Sequence, residues 1–253
     1  MSELDIYYQD EHYVVIDKPT GLLVHRSPID RRERRFALQL LRDQLGQHVF
    51  PVHRLDKPTS GLMIFALHSE AASKMQLAFR EHRVQKTYHA IVRGYAADSG
   101  VIDYALSDKR EKEEKRHPDD VRSPQDALTY YRCVARTELE IPLGRYPSCR
   151  YSLVEMQPQT GRKHQLRRHM KHLDHHLIGD TRYGDGRHNK LFRDLFDNQR
   201  LLLFATGLEF VHPYSEPNNE QKFQIQAPVP LEQQAVFDAL GWIRIDSRSV
   251  IIS

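Results

Sequence analysis

The chain has 253 residues, with 37 Lys and Arg against 34 Asp and Glu, a formal net charge of +3 and 40% hydrophobic residues. No run approaches the roughly 18–20 apolar residues of a membrane span, and Met1-Ser2-Glu3-Leu4-Asp5 lacks the apolar core of a secretory signal. The two cysteines, Cys133 and Cys149, have no CxxC spacing; they exclude a disulfide framework or a cysteine zinc site and predict a reducing, cytoplasmic compartment.

In chain order, Leu4–Tyr8 and Tyr13-Val14-Val15-Ile16 read as short strands. Lys18-Pro19-Thr20-Gly21 has turn chemistry. The basic run Asp30–Arg35 leads to a helix over Phe36–Leu45, and Val49–Val52 and Gly61–Leu67 read as strands around His53–Ser60. Ser69 is the expected N-cap of a helix that buries Ala72, Met75 and Phe79. Thr87–Arg93 is an expected strand, and the charged stretch Asp108–Pro124 an exposed loop with too few apolar groups to pack. Strands are expected at Leu128–Ala135, Arg150–Gln157, Leu201–Leu208 and Lys222–Gln226, with a last helix near Leu231–Leu240. Many strands without regular βαβ alternation predict an α+β fold around a mixed, mainly antiparallel sheet. No internal repeat or Ser/Gly-rich linker is visible, so a single catalytic domain over 1–253 is expected, with an accessory C-terminal segment from about 229.

Three stretches carry chemistry. In His53-Arg54-Leu55-Asp56-Lys57-Pro58-Thr59-Ser60-Gly61 a lone acid sits among cations on a turn between strands. That is a setting for a reactive carboxylate, although a solvated aspartate capping the Thr59/Ser60 turn has the same composition. In the segment from Gln159 to Leu173, Thr160 is a candidate N-cap and Leu166, Met170 and Leu173 mark a buried stripe. Arg162, four residues before Leu166, falls on that stripe and needs a carboxylate from outside the helix; Asp56 is the candidate, with snorkelling to solvent as the alternative. Lys163, Arg167, Arg168 and Lys171 form a basic face suited to RNA phosphates. The interleaved histidines lack an HExxH motif or paired cysteines, so no metal centre is expected. Tyr88, on the strand with Ala90 and Val92, points to the interior or to a cleft wall.

Together with Asp17-Lys18-Pro19-Thr20-Gly21-Leu22, these stretches resemble the RluA family of pseudouridine synthases over most of residues 1–212. The resemblance implies a pseudouridine synthase fold, no cofactor, no S4 domain ahead of the catalytic one, and an RNA substrate. It assigns Asp56 as nucleophile, Tyr88 as the aromatic beside the target base and Arg162 as the ion-pair partner of Asp56. It also implies RNA contacts by Arg54 and His53, with Arg54 entering the space of a flipped nucleotide. Within the family the chain is most similar to tRNA-modifying members, which implies uridine 65 of the tRNA T-stem region as target, a monomer, and no protein partner. One departure is His176, where the family usually has proline. The competing expectations are a synthase acting on ribosomal RNA or another tRNA position, a non-catalytic RNA-binding module, and a nuclease built on the histidines.

Overall fold

A computed structural model of the chain describes residues 3–26, 33–107, 123–216 and 218–253. Most of the charged loop expected over 108–124 lies outside the described residues, as do Asp30 and Arg31. In order come β1 (Asp5–Gln9), β2 (Tyr13–Lys18), α1 (Ala37–Leu45), β3 (Phe50–Pro51), β4 (Ser60–Ala66), α2 (Ser69–Arg80) and β5 (Val84–Arg93). Then follow β6 (Ser99–Asp103), β7 (Leu128–Leu139), β8 (Cys149–Pro158), α3 (Gln165–His172), α4 (Gly186–Phe196), β9 (Leu203–Val211) and β10 (Lys222–Gln226). A 3-10 turn at Leu231–Gln233, α5 (Gln234–Ala239) and β11 (Ser249–Ile252) complete the set.

Among the described residues one mixed, mainly antiparallel sheet runs β1-β2-β4-β9-β5-β8-β7-β6, with β3 on β4 and the β10–β11 pair on β9. The α+β expectation holds. Strand β2 lies between β1 and β4 and is buried along nearly its whole length, which explains its unbroken Tyr13-Val14-Val15-Ile16 run. A parallel pairing joins β4 to β9 through Ser60↔Phe204 and Gly61↔Ala205, between two antiparallel halves. There Gly61 adopts φ +114, and a Cβ would lie 2.2 Å from the Ala205 carbonyl oxygen. Only glycine permits that approach, so the end of the His53–Gly61 segment is fixed by the joint between the halves.

Helix α2 buries Ala71, Ala72, Met75 and Ala78 against β4 and its neighbours. Its N-cap is His68 rather than Ser69: the His68 Nδ1 accepts the Ala71 amide at 3.3 Å, and Ser69 is the first helical residue. Strand β6, helix α4 and strand β11 were not expected. Asp185 caps α4 by accepting the Arg187 amide at 3.0 Å, and Phe192 anchors the helix in the core. Strand β11 brings the C-terminal segment back onto β10, where Phe223 pairs with Ile252. No helix among the described residues is long and apolar enough to cross a membrane.

Candidate active site

A cleft of about 470 Å³ opens beside the joint between the two half-sheets. Its floor carries Asp56 and Tyr88, one wall is the 160–167 segment, and the other is formed by Arg54, Phe79, His82 and Lys86.

The loop bearing Asp56 is held from three sides. The Thr59 amide donates to the Asp56 carbonyl at 3.0 Å, and Leu55 is buried in the core. The His53 Nε2 accepts the Ile64 amide at 3.0 Å, and the ring stacks on Phe79. Burial, with Lys86 nearby, pushes the His53 pKa down to about 3, so the ring is neutral and serves as a strut of the turn. From below, the fully buried Lys18 donates to the carbonyls of Pro19 and Leu22 at 2.9 Å and of Lys57 at 3.3 Å. Thr20 adds a bond to the Pro58 carbonyl, and the Gly21 amide one to Lys57. Burial lowers the Lys18 ammonium pKa to about 7. The sequence reading gave Lys18 no role; a lysine beside proline and glycine in a turn reads as exposed, and only the tertiary contact reveals it.

Arg162 does not meet Asp56. Helix α3 begins at Gln165, five residues after the expected cap, because the Gln165 side chain closes the preceding turn. Its Oε1 accepts the Thr160 hydroxyl at 2.7 Å and the Arg162 amide at 3.0 Å, while its Nε2 donates to the Leu128 carbonyl and the Thr129 hydroxyl. Arg162 therefore lies outside the helix and off its stripe. It is exposed on the cleft rim, with Nε donating to the Asp126 carbonyl at 2.9 Å.

The partner of Asp56 is Arg167, which had been expected on the RNA-facing side. On the true helix Gln165, Leu166, Arg167, His169 and Met170 all face inward. Arg167 is 6% exposed, and its Nη1 lies 3.1 Å from Asp56 Oδ2. Asp180, from the loop Ile178-Gly179-Asp180-Thr181-Arg182-Tyr183-Gly184 that follows α3, grips the same guanidinium at Nε (2.7 Å) and Nη2 (2.9 Å). Burial raises the Asp180 carboxyl, but Arg167 and the amides of Arg182 and Tyr183 outweigh it and hold the group below the usual carboxylate range. A bidentate pair with Asp180 through Nε and Nη2 fixes the arginine plane and turns Nη1 toward Asp56. One positive charge thus serves two carboxylates, and only one oxygen of Asp56 is tied.

His164 stands near the other oxygen, with Nε2 3.8 Å from Asp56 Oδ1, while its Nδ1 bonds the Tyr183 hydroxyl at 3.0 Å. Its backbone is left-handed at φ +55, uncommon for a residue with a Cβ. Burial lowers the His164 pKa to about 4 despite Asp56, so the imidazole is neutral at pH 7. The Tyr88 hydroxyl is raised far above its ordinary value, first by burial and then by Asp56. It is a neutral phenol on the cleft floor.

The remaining basic residues divide. Arg54 and Lys163 are exposed and line the cleft. Arg168 is half-buried and donates to the Ser107 carbonyl at 2.9 Å, and Lys171 is exposed away from the cleft lining. The late histidines serve the fold: His169 bridges Thr129 and the Tyr104 carbonyl, His172 stacks on Tyr104, and His175 and His176 donate to the carbonyls of Arg93 and Tyr183. In the loop where proline was expected at His176, that last bond, at 2.6 Å, holds the segment instead.

Residues 12–172 match the family model described as RNA pseudouridylate synthase. A Vibrio parahaemolyticus protein named tRNA pseudouridine synthase C is 50% identical over 95% of this chain and 96% of its own length. A Haemophilus ducreyi protein of the same name is 48% identical over 95% of this chain and 97% of its own. Among solved structures, human RNA pseudouridylate synthase domain containing 4 superposes with a TM-score of 0.67 at 27% identity, covering 94% of this chain and 93% of that one. The chain belongs to the RluA-type family of RNA pseudouridylate synthases, which are isomerases.

Proposed function

We propose that the protein converts uridine in tRNA to pseudouridine, with Asp56 as the reacting carboxylate and uridine 65 of the T-stem as the target. The observation that carries this reading is the chain of contacts Asp56–Arg167–Asp180 at the floor of a cleft with cationic walls, in a chain half identical to proteins named for tRNA pseudouridine synthesis.

The reaction breaks N1–C1′, turns the uracil, joins C5 to C1′, and moves a proton from C5 to solvent while N1 gains one; atoms and electrons balance without an added reactant. A paired uridine must first leave the stack, at a cost of a few kcal/mol. Arg54, exposed at the cleft mouth, is placed to fill the gap. Attack at C1′, attack at C6 and proton removal at C2′ all require an ionised carboxylate with an open oxygen. The single bond from Arg167 supports each, since it engages Oδ2 and not Oδ1. Tyr88 offers a ring face for the base and a neutral hydroxyl beside Asp56.

The reading calls for no protein partner and takes the protein as a monomer. It places the enzyme in the cytoplasm, where its two free cysteines suit a reducing milieu. Because β11 returns to the sheet, residues 1–253 are read as one catalytic domain. The test is incubation with an unmodified tRNA transcript, followed by mapping of pseudouridine. Pseudouridine at position 65 is expected; modification at another tRNA position or in ribosomal RNA alone would overturn the target, and none in any RNA the activity.

A further inference from the structure

Lys86 and His82, on the α2 wall of the cleft, fit poorly into a finished apo structure. Lys86 lies two residues before Tyr88 on β5, so both side chains emerge on the cleft face, whereas Gln85, Thr87 and His89 line a separate cavity on the other face. The Lys86 ammonium is half-buried, and burial lowers its pKa. Among the described residues no carboxylate, carbonyl or hydroxyl meets it within hydrogen-bond distance; the His53 ring feels its charge, and Phe79 and His82 line the same cleft. A cation withdrawn from water without an acceptor is unfavourable; an anionic ligand would supply the acceptor.

His82 gives a second, independent sign. It follows the C-terminus of α2 with φ +57, where the His82 amide donates to the Phe79 carbonyl at 3.2 Å and the Arg83 amide to Ala78 at 2.9 Å. That helix ending favours glycine, because any Cβ is strained there. The chain instead places an exposed imidazole at the position, on the lining of the same cleft as Lys86. Strain of this kind collects at ligand-binding positions.

Resting on the reading of the cleft as an RNA site, we propose that Lys86 and His82 form a phosphodiester subsite for the strand next to the extruded uridine. The Lys86 ammonium takes a phosphate oxygen of a flanking nucleotide, and the His82 ring packs on that nucleotide's sugar or base. The subsite shares the cleft with Arg167, whose charge is already taken by Asp56 and Asp180.

The test measures the Kd of unmodified tRNA transcript against KCl concentration, together with Tm and steady-state tritium release, for wild type, Lys86→Met, Lys86→Arg and His82→Gly. Lys86→Met should weaken binding about 3–10-fold and make the slope of log K against log salt shallower by about 0.7–0.9, the loss of one phosphate contact. Its Tm should not fall, and the loss should lie in KM rather than kcat. Lys86→Arg should keep the slope. His82→Gly should raise Tm by a few degrees, roughly the relief of one strained residue, while weakening tRNA binding about threefold, a combination that a purely structural residue does not give. Lys86→Met with wild-type slope and KM overturns the phosphate contact, and His82→Gly with unchanged Kd overturns the ring contact. Wild type that turns over tRNA while both variants match it removes the subsite alone; wild type that binds no tRNA removes the functional reading and the subsite together.

Discussion

On the α3 wall of the cleft the polar groups are partnered: Asp56 pairs with Arg167, Arg167 with Asp180, and the neutral His164 hydrogen-bonds Tyr183. On the α2 wall, among the described residues, Arg54 and Lys86 have no such partners and His82 holds a strained backbone. The first wall is organised before substrate arrives, as a reacting carboxylate requires, since reorganisation during the reaction would add to the barrier. The second wall is complete only with an anion in place. The contrast teaches that a basic residue in a cleft is assigned by what already neutralises it: Arg167 and Lys86 are both half of a pair, but only Arg167 has its other half in the protein.

Four changes probe this contrast, the largest effect first. Arg167→Met leaves the Asp180 carboxylate, 1% exposed, without its guanidinium. Unfolding in urea should show a loss of about 3–5 kcal/mol, and turnover in the surviving folded protein should fall on the order of 10²-fold or more through misplacement of Asp56. Asp180→Asn keeps the shape but loosens the arginine plane; kcat should drop about 10–100-fold, as for other outer supports of a reacting group, and an unchanged kcat would mean that Asp180 serves folding only. Tyr183→Phe removes one hydrogen bond to His164 and should cost about 2–10-fold in kcat/KM, in line with roughly 1 kcal/mol. Arg162→Met touches only the rim; kcat should stay within about threefold of wild type, with any loss in KM. Equal damage from Arg162→Met and Arg167→Met would erase the distinction between a paired group and a rim cation.

The clasp beneath Asp56 gives a pH test. Lys18 has a folded pKa near 7 against an ordinary value of 10.5, so between those values the unfolded chain binds the extra proton. Stability therefore rises with pH from about 7 toward 10.5, and is flat with respect to this group below 7. Asp17, raised by burial to about 6 from 3.8, acts with opposite sign, and its contribution is lost as pH rises through 6. Urea unfolding at pH 6.5 and 9 should show that Lys18→Met has lost the alkaline gain that wild type retains. Parallel curves for the two proteins would contradict the assignment.

The turn of Asp56 was legible because its cues are local: a strand end, Pro58, and a glycine whose φ the joint with β9 demands. The strands of β2, β5 and β8 were legible for the same reason, as apolar runs with turn residues at their ends. The partner of Asp56 was misassigned because Thr160 looks like a cap, whereas a side chain at Gln165 closes a turn that no periodicity reveals. A helix starting at Gln165 would have placed Arg167 beside Leu166 and Met170 on the inward face, and Asp180 was the one acid in the glycine loop between Ile178 and Gly184. Helix α4 also carries a local signal, Asp185 as cap and Leu191, Phe192 and Leu195 at helical spacing. The clasp of Lys18 on Lys57 links residues 39 apart in sequence and left none.

The most direct measurement is single-turnover release of tritium from tRNA labelled at uridine C5, with wild type and Asp56→Asn at saturating enzyme. The asparagine is nearly isosteric and keeps an oxygen for Arg167, so tRNA affinity should remain within about threefold of wild type while release slows by on the order of 10³-fold or more. Release by Asp56→Asn at the wild-type rate would contradict the account, whatever the affinity.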